Sequence, residues 1–388
     1  MGKVFITNAQ QRKALSVTRS LGKKGMDVKA CEITGLNPTR FSKYCKDFSK
    51  CPDPGLFPDK YTAFLMDKIK KSSCEVLFPM DDDSMALVID NIDKFSKVCH
   101  LALPPKDSFL AALNKDRTVA IAQKAGAVCP ETVFIDDIDT LLEKIAPLKF
   151  PVVIKPVVSS GSRGIRVVKD EAAFLETYMD IHSRFPFPMV QEYIAGNEKV
   201  DVCLLYNKES QLRACFIQKE LRHFPVGIGP STVQESIHDP ELKEIALKIM
   251  ERLPWVGVVE LEFMIDRIND RIVFMEINPR FWASLEMAVL AGVDFPYLYY
   301  KVAMDGDCEE VFAYRDGVKA RWLYPGDILH FLAARDRFRL DPPFFSGKRS
   351  GVNDDIFSWK DPMPVLGVAL ASFYYLINKK RRKFILNR

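Results

Sequence analysis

Along the chain, short apolar runs alternate with segments whose apolar residues recur every three or four positions. Residues 3–7, KVFIT, form the first run and predict a buried strand. Helical spacing follows through Leu15, Val17 and Leu21 and stops near Gly25, and MDVKACE predicts a second strand. Strand, helix, strand is the opening of a parallel sheet, because parallel neighbours need a long crossover. Residues 61–73 predict another helix and EVLFPM, 75–80, another strand. Pro104 and Pro105 then break the pattern and mark a boundary. Helical spacing resumes over 106–125 and over 171–183, with strands at PVVIKP (151–156), IRVVK (165–169) and MVQEYI (189–194). No internal repeat or low-complexity tract occurs.

The pattern sharpens at 256–280, VGVVELEFMIDRINDRIVFMEINPR. Strict alternation puts Val259, Leu261, Phe263 and Ile265 on one face, and Glu260, Glu262, Met264 and Asp266 on the other. Residues 267–270 turn the chain, and Ile272, Phe274, Glu276 and Asn278 then share a face of the returning strand. In register, Glu262 meets Glu276, with Asn278 one step on. Carboxylates side by side in an otherwise apolar sheet repel, and they are costly to bury unless something positive lies between them. Two carboxylates and an amide oxygen are hard donors of the kind Mg²⁺ takes while keeping water and phosphate ligands. A solvated polar hairpin face gives the same alternation, so the pattern alone leaves both readings open. Arg280, immediately after, adds a group able to hold an anion beside a metal.

Complementary chemistry lies upstream. Lys155 ends an apolar strand, and Lys115 sits in NKDRTVAIAQKAG. Each lysine can neutralise phosphate or simply be solvated. The loop SSGSRG, 159–164, can close over phosphates with its N–H groups, or be an ordinary turn between strands. It leads into a strand and lacks the Gly-Lys-Ser/Thr that opens a helix in a P-loop. TNAQQRKAL, after the first strand, lacks G-x-G-x-x-G, which argues against dinucleotide binding there. Asp81, Asp82 and Asp83 follow a strand's C-terminal end; a ligand role is open to them, but a helix N-terminus favours acids and is preferred.

Composition narrows the class. With 388 residues, 48% hydrophobic and 27% charged, disordered, collagen-like and coiled-coil readings fail. A net charge of +4 is too mild for nucleic acid as the main partner. The nine cysteines are widely spaced and form no CxxC pair, and the N-terminus has no signal-peptide pattern. Free thiols and a cytoplasmic location are expected. None of the five His stands at finger spacing to a Cys pair, which leaves a structural zinc site without support.

Residues 363–378, MPVLGVALASFYYLIN, are an apolar run that ends in Lys379, Lys380, Arg381, Arg382 and Lys383. Spanning a membrane takes about 20 residues, so the run is short. It reads either as a helix lying on the cytoplasmic membrane surface with a basic flank, or as one packed on the body with a solvated tail.

Taken in order, NKDRTVAIAQKAGAVCPET, VVIKP, SSGSRG, VQEYIAGNE and VELEFMID…IVFMEINPRF resemble the ATP-grasp superfamily, over roughly residues 3–305. The similarity points to its carboxylate–amine ligase-like branch, related to the carbamoyl-phosphate synthase large subunit. The resemblance implies an α/β fold, α+β in the ATP-grasp part. A parallel-sheet pre-ATP-grasp domain (1–104) would precede a two-lobed ATP-grasp domain (105–305, lobes meeting near 190) and a small helical extension (306–388). It implies ATP and two Mg²⁺ or Mn²⁺ ions as cofactors. Lys115 and Lys155 would contact phosphates, and Ser160, Gly161, Ser162 and Gly164 would form the phosphate lid. Glu192, Tyr193 and Ile194 would flank adenine, and Glu198 would bind ribose. Glu262, Glu276 and Asn278 would hold metal, and Arg280 would steady the transferred phosphoryl group. The loop 218–236 resembles a substrate-side segment, where Arg222 would meet a carboxylate or phosphate beside Gly227, Gly229 and Ser231. For His223 a plain surface role is preferred. Glu276 lies fourteen positions after Glu262, slightly long for the family, which implies an extended turn. The implied activity joins a carboxylate to an amine through an acyl phosphate, releasing ADP. Carboxylation or carbamoyl-phosphate chemistry and a non-catalytic ATP-binding module are the alternatives. Similar tails occur in relatives tied to cell-surface polysaccharide or conjugate synthesis.

Overall fold

Four parallel strands open the chain: β1 (Lys3–Ile6), β2 (Asp27–Glu32), β3 (Cys45–Lys50) and β4 (Val76–Phe78), in the spatial order β3-β2-β1-β4. They are seen in a computed structural model that describes residues 2–157, 164–196, 198–227, 229–345 and 351–377. The helix Arg12–Lys23 makes the first crossover and Pro58–Ser72 a later one. Both faces of this sheet are covered, which is why its strands read as continuous apolar runs. Phe5, Cys31 and Leu77 pack with Tyr61, Leu65 and Ile69 on one side. Val4, Ile6, Val28 and Phe78 pack on the other, in a core shared with Cys203, Leu205, Ala214 and Phe216 from the large sheet described below.

One helix over 106–125 is corrected to two, Lys106–Leu113 and Lys115–Lys124. Asn114 between them leaves helical geometry (φ −96°, ψ 113°), and its side chain accepts a hydrogen bond from the Asp116 N–H. The break places Lys115 at the start of a helix.

A small sheet follows, built from β5 (Thr132–Val133), β6 (Val152–Lys155), β7 (Arg166–Val168) and β8 (Met189–Glu192). Its order is β5-β8-β6-β7, all antiparallel. Val152, Ile154, Val168 and Val190 bury against Phe174, Tyr178 and Ile181 of the helix Phe174–His182.

The large sheet has seven strands: β9 (Glu198–Tyr206), β10 (Leu212–His223), β11 (Ser231–Ser236), β12 (Gly257–Asp266), β13 (Arg271–Asn278), β14 (Lys319–Arg321) and β15 (Val352–Asp354). They run in the order β13-β12-β9-β10-β11-β14-β15. One face buries Val202, Leu204, Leu261, Phe263 and Phe274 against the helix Pro240–Met250. Glu262 pairs with Glu276 across the hairpin as expected, but Phe263 then pairs with Phe274. Met275 is therefore an extra residue, a β-bulge that reverses the alternation. Phe274 faces the core, while Glu276 and Asn278 stay opposite Glu262 and Glu260. Their expected common face with Phe274 is corrected accordingly.

The C-terminal segment is more than a helical extension. It adds β14 and β15 to the large sheet, and it wraps the helix Arg12–Lys23. That helix is buried on all sides because its charges find carboxylates there: Arg12 with Asp355 at 2.6 Å and Arg19 with Asp361 at 2.9 Å. The apolar run at 363–378 forms the helix Pro364–Ile377. Its Gly367, Val368 and Ala371 are buried, whereas Leu366, Phe373, Leu376 and Ile377 are exposed. Gly367 lies so close to Asn37 that a Cβ there would come within 2.7 Å of the Asn37 carbonyl oxygen. No helix among the described residues is long and apolar enough to cross a membrane. The basic run 379–383 lies outside the described residues. All nine cysteines are free thiols.

Candidate functional site

The small sheet, the β12–β13 hairpin and the start of the helix Lys115–Lys124 enclose a cleft of about 890 Å³ that is open to solvent. Its inner part is apolar, with Val153, Ile165, Val167, Ile194, Met264 and Met275 as walls. The other end is ionic, formed by Lys115, Lys155, Glu262 and Glu276. Apolar walls beside paired cations suit a planar base carrying a chain of phosphates.

The ionic end is tightly coupled. Lys115 Nζ lies 2.9 Å from Glu276 Oε2, and Lys155 Nζ lies 3.9 Å from the same oxygen. Both lysines are buried, although they end exposed-looking motifs. Burial lowers the Lys155 ammonium to about 8, against the opposing pull of Glu276. Burial pushes the Glu276 carboxyl up, but the two lysines outweigh it and hold the group near 2. Glu262 has no ion pair among the described residues; burial and the Glu276 charge raise it to about 7, against the weaker pull of Lys199 and Arg280. Asn278 Nδ2 donates to Glu262 Oε1 at 2.6 Å and to Glu260 Oε2 at 3.1 Å, and its Oδ1 accepts from Arg280 at 3.0 Å. Arg280 also pairs with Asp82 at 3.0 Å. Burial would lower its guanidinium, but Asp82 and Glu260 more than offset this and raise it.

Among the described residues no group of three His, Cys, Asp or Glu is arranged to hold a metal. The expected donor set is instead two carboxylates and the Asn278 amide, whose oxygen already accepts from Arg280. Its chemistry fits a hard divalent ion: Glu262 is short of positive charge, and the Lys115 ammonium already stands against Glu276 as a cation would.

The N-terminal domain reaches this end. Asp81 caps the helix Asp82–Asp90 by accepting from the Ser84 N–H, as preferred from sequence, but Asp82 extends to Arg280. Lys13 donates to the Phe281 carbonyl at 2.7 Å, and burial, then Arg280, lowers its ammonium to about 7.

Other expected residues fall as follows. Tyr193 and Ile194 line the cleft directly after β8. The Glu192 side chain is committed to Arg271 and to the Glu131 N–H, and its own backbone N–H donates to the Glu131 carbonyl at 2.8 Å. Glu198 pairs with Lys219 at 3.0 Å and Arg267 at 2.9 Å; burial opposes these bonds, but they keep its carboxyl low. Gly164 has φ +77°, and a Cβ there would meet Pro156 at 2.7 Å. Ser160, Gly161 and Ser162 lie outside the described residues.

Arg222 is corrected. It is buried and gives two bonds from one nitrogen to Asp327, at 3.0 and 2.9 Å, and another to the Pro342 carbonyl. A substrate anion would have to displace that buried carboxylate. Gly229 belongs to a tight turn, where a Cβ would collide with the Phe224 carbonyl oxygen at 2.0 Å. Ser231 accepts from Gln234 at 2.5 Å. Of this loop, Gly227 lines the cleft. His223 is not a surface residue: it is buried, 2.7 Å from Glu220.

Sequence reasoning left out Lys199, which lines the cleft, and Asp201, its neighbour along the same face of β9. The polar interruptions in EKVDVCLLY, an otherwise apolar strand, were the available signal.

Similarities to known proteins agree with this geometry. Residues 114–311, half of the chain, match the family model described as "Carbamoyl-phosphate synthase L chain, ATP binding domain". The mitochondrial acetyl-CoA carboxylase of Saccharomyces cerevisiae is 26% identical over 200 residues, 48% of this chain and 9% of that protein. This chain thus corresponds to a small part of such relatives. Among solved structures, the biotin carboxylase domain of Hydrogenobacter thermophilus 2-oxoglutarate carboxylase, in complex with MgADP, ADP and bicarbonate, superposes with a TM-score of 0.68. It is 16% identical and covers 82% of this chain and 73% of that one. The L-amino acid ligase of Bacillus licheniformis superposes at 0.59, with 14% identity, over 80% of this chain and 75% of its own. Through residues 114–311 the chain belongs to the ATP-grasp family of carbamoyl-phosphate synthase large-chain ATP-binding domains.

Proposed function

We propose that this protein is an ATP-dependent, ADP-forming ligase that joins a carboxylate to an amine. The observation that carries this reading is the cleft itself, an apolar slot that ends in Lys115 and Lys155 over Glu276, with Glu262 opposite. Adenine lies between Val153, Ile165, Met264 and Met275, with Tyr193 and Ile194 at its edge. Lys115 and Lys155 turn from Glu276 to the phosphates. Glu262, Glu276 and Asn278 would hold Mg²⁺, or Mn²⁺ in its place, and the bound ions would neutralise charge on the phosphates.

The substrate carboxylate oxygen attacks the γ-phosphorus, the bond to the β,γ-bridging oxygen breaks, and ADP leaves. The amine's ammonium form loses one proton to solvent, its neutral nitrogen attacks the acyl carbon, inorganic phosphate leaves with its bonding pair, and the nitrogen sheds a second proton to give an amide. Arg280 and Lys155 stabilise the charge that spreads over the phosphoryl oxygens, so the chain supplies position and electrostatics rather than a covalent nucleophile. The carboxylase relatives favour one variant, in which bicarbonate is the carboxylate that is phosphorylated.

In domain terms the chain divides into 1–104, 105–305 and 306–388, with 191–305 the large lobe. The helix Pro364–Ile377 and its basic flank are assigned to contact with an anionic membrane surface, and cell-surface polysaccharide or conjugate assembly is the proposed setting. The direct test is calorimetry of MgATP binding, with release of ADP measured against a panel of carboxylates and amines. Failure to bind MgATP at millimolar concentration would remove the reading.

A further inference from the structure

The site face of the large sheet carries more polar groups than nucleotide chemistry uses. Glu276, Glu262, Asp201, Gln218 and Ser236 are successive cross-strand partners, so one polar row crosses β13, β12, β9, β10 and β11. Glu260 lies one step along β12 on the same face, opposite Asn278. Asp201, Gln218 and Glu260 are 2%, 0% and 6% exposed, and none has a role in holding phosphate.

In ionised form these groups offer acceptors, apart from the Gln218 amide nitrogen. Asp201 Oδ2 takes one hydrogen bond from Gln218 Nε2 at 2.8 Å, and Glu260 Oε2 takes one from Asn278. The Gln218 nitrogen also reaches Ser284 Oγ at 2.5 Å. Gln218 Oε1, on the same buried amide, has no donor among the described residues. The neighbouring cations have other engagements: Arg280 with Asp82, His223 with Glu220, Lys13 with the Phe281 carbonyl. Lys199 faces the nucleotide cleft. An anion would be repelled here. A buried amide oxygen on the same sheet face as two buried carboxylates, with Asp201 on the strand between Glu260 and Gln218, calls for N–H donors bearing positive charge.

We propose that Asp201, Gln218 Oε1 and Glu260 form the subsite for the ammonium group of a primary-amine substrate. A primary ammonium carries three N–H donors and no acceptor, one donor for each of these groups. Glu262, the cross-strand partner of Asp201, separates the subsite from the nucleotide cleft, so an amine held here lies beside the phosphate end and not in the adenine slot. The inference rests on the ligase reading given above and adds the chemical class and seat of its second substrate.

The test uses the full chain saturated with MgADP. It is dialysed against one mixture of the standard amino acids, glucosamine and putrescine, together with their N-acetyl derivatives, and retained compounds are measured by mass spectrometry. At least one primary amine is retained while its N-acetyl form is not. Asp201→Asn and Gln218→Met each cut that retention about tenfold. Gln218→Met keeps the volume and deletes the unpaired oxygen, so a merely structural Gln218 would leave retention unchanged. No retained amine, equal retention of N-acetyl forms, or retention that survives both substitutions overturns the proposal. ADP retained in the same samples reports separately on the nucleotide site: ADP held without any amine refutes the subsite alone, and ADP not held refutes the ligase reading beneath it.

Discussion

Glu262 and Glu276 stand directly opposite each other across the β12–β13 hairpin, yet they are driven to opposite ends of the carboxylate range. Glu276, against Lys115 and Lys155, is held near 2, and Glu262 is raised to about 7. One member of the pair is already neutralised by protein cations, while the other waits for charge from outside.

That asymmetry sets a pH dependence. A carboxyl raised in the folded state keeps its proton where the unfolded chain has lost it, so stability falls as pH rises through that window. For Glu262 the window runs from its ordinary value of 4.5 to about 7. Glu260 and Asp201 are also raised, by burial and then by neighbouring carboxylates, and they act in the same direction. Glu276 acts oppositely, and its contribution is lost only as pH falls from 4.5 toward 2. Metal-free protein should therefore lose on the order of 2 kcal/mol of stability between pH 5 and 7, read as a falling urea midpoint. Glu262→Gln should flatten that slope, and an unchanged slope in the variant would contradict the assignment.

Glu276→Gln removes the charge that both lysines face and one proposed metal donor, while keeping shape. Turnover should fall by roughly 10²–10³-fold, the usual cost of losing one preorganised electrostatic group. Circular dichroism should stay native. Near-normal kcat at moderate Mg²⁺ would sink the metal role.

Lys155→Ala should weaken ATP by about tenfold or more and adenosine little, because the ammonium lies at the ionic end and not along the apolar slot. Calorimetry with both ligands decides; equal losses would place Lys155 elsewhere.

The hairpin was legible because side chains alternate in a strand, but regular pairing from the turn would set Glu262 against Met275, and it is the bulge that brings it opposite Glu276. The bulge at Met275 was not, since an inserted residue leaves every neighbouring residue type plausible. Arg222 shows a different limit. Its partner Asp327 is 105 residues away, and only the pairing of β14 with β11 brings that segment in. Lys115 was found as a residue but placed mid-helix, because Asn114 breaks the helix with a cap that periodicity does not register.

The Arg222–Asp327 pair gives a prediction of its own. Asp327→Asn leaves a buried guanidinium without its counter-charge and should cost about 3–5 kcal/mol of stability. Replacing both partners, as Arg222→Met with Asp327→Leu, should recover much of that loss. ATP affinity should be unchanged in the double variant, as measured by calorimetry below its melting point. A large loss of ATP affinity would return Arg222 to the active site.

The last prediction concerns the C-terminal helix. Pro364–Ile377 buries Gly367, Val368 and Ala371 against the body and exposes Leu366, Phe373, Leu376 and Ile377, beside the exposed Trp359. Five consecutive basic residues follow in the sequence. Each contributes on the order of 1 kcal/mol near an anionic surface, so the set can hold a peripheral protein reversibly. The attraction is screened within about 8 Å at physiological salt. The protein should bind vesicles of anionic lipid at low salt and leave them at high salt, whereas zwitterionic vesicles should bind little. Deleting 379–388 should remove vesicle binding and leave both the melting temperature and MgATP affinity intact, because the packed face of the helix is kept. Phe373→Ser should weaken vesicle binding without destabilising the fold, since that side chain is 64% exposed. If the deletion melts the protein or abolishes ATP binding, the tail is part of the folded body and the membrane role falls.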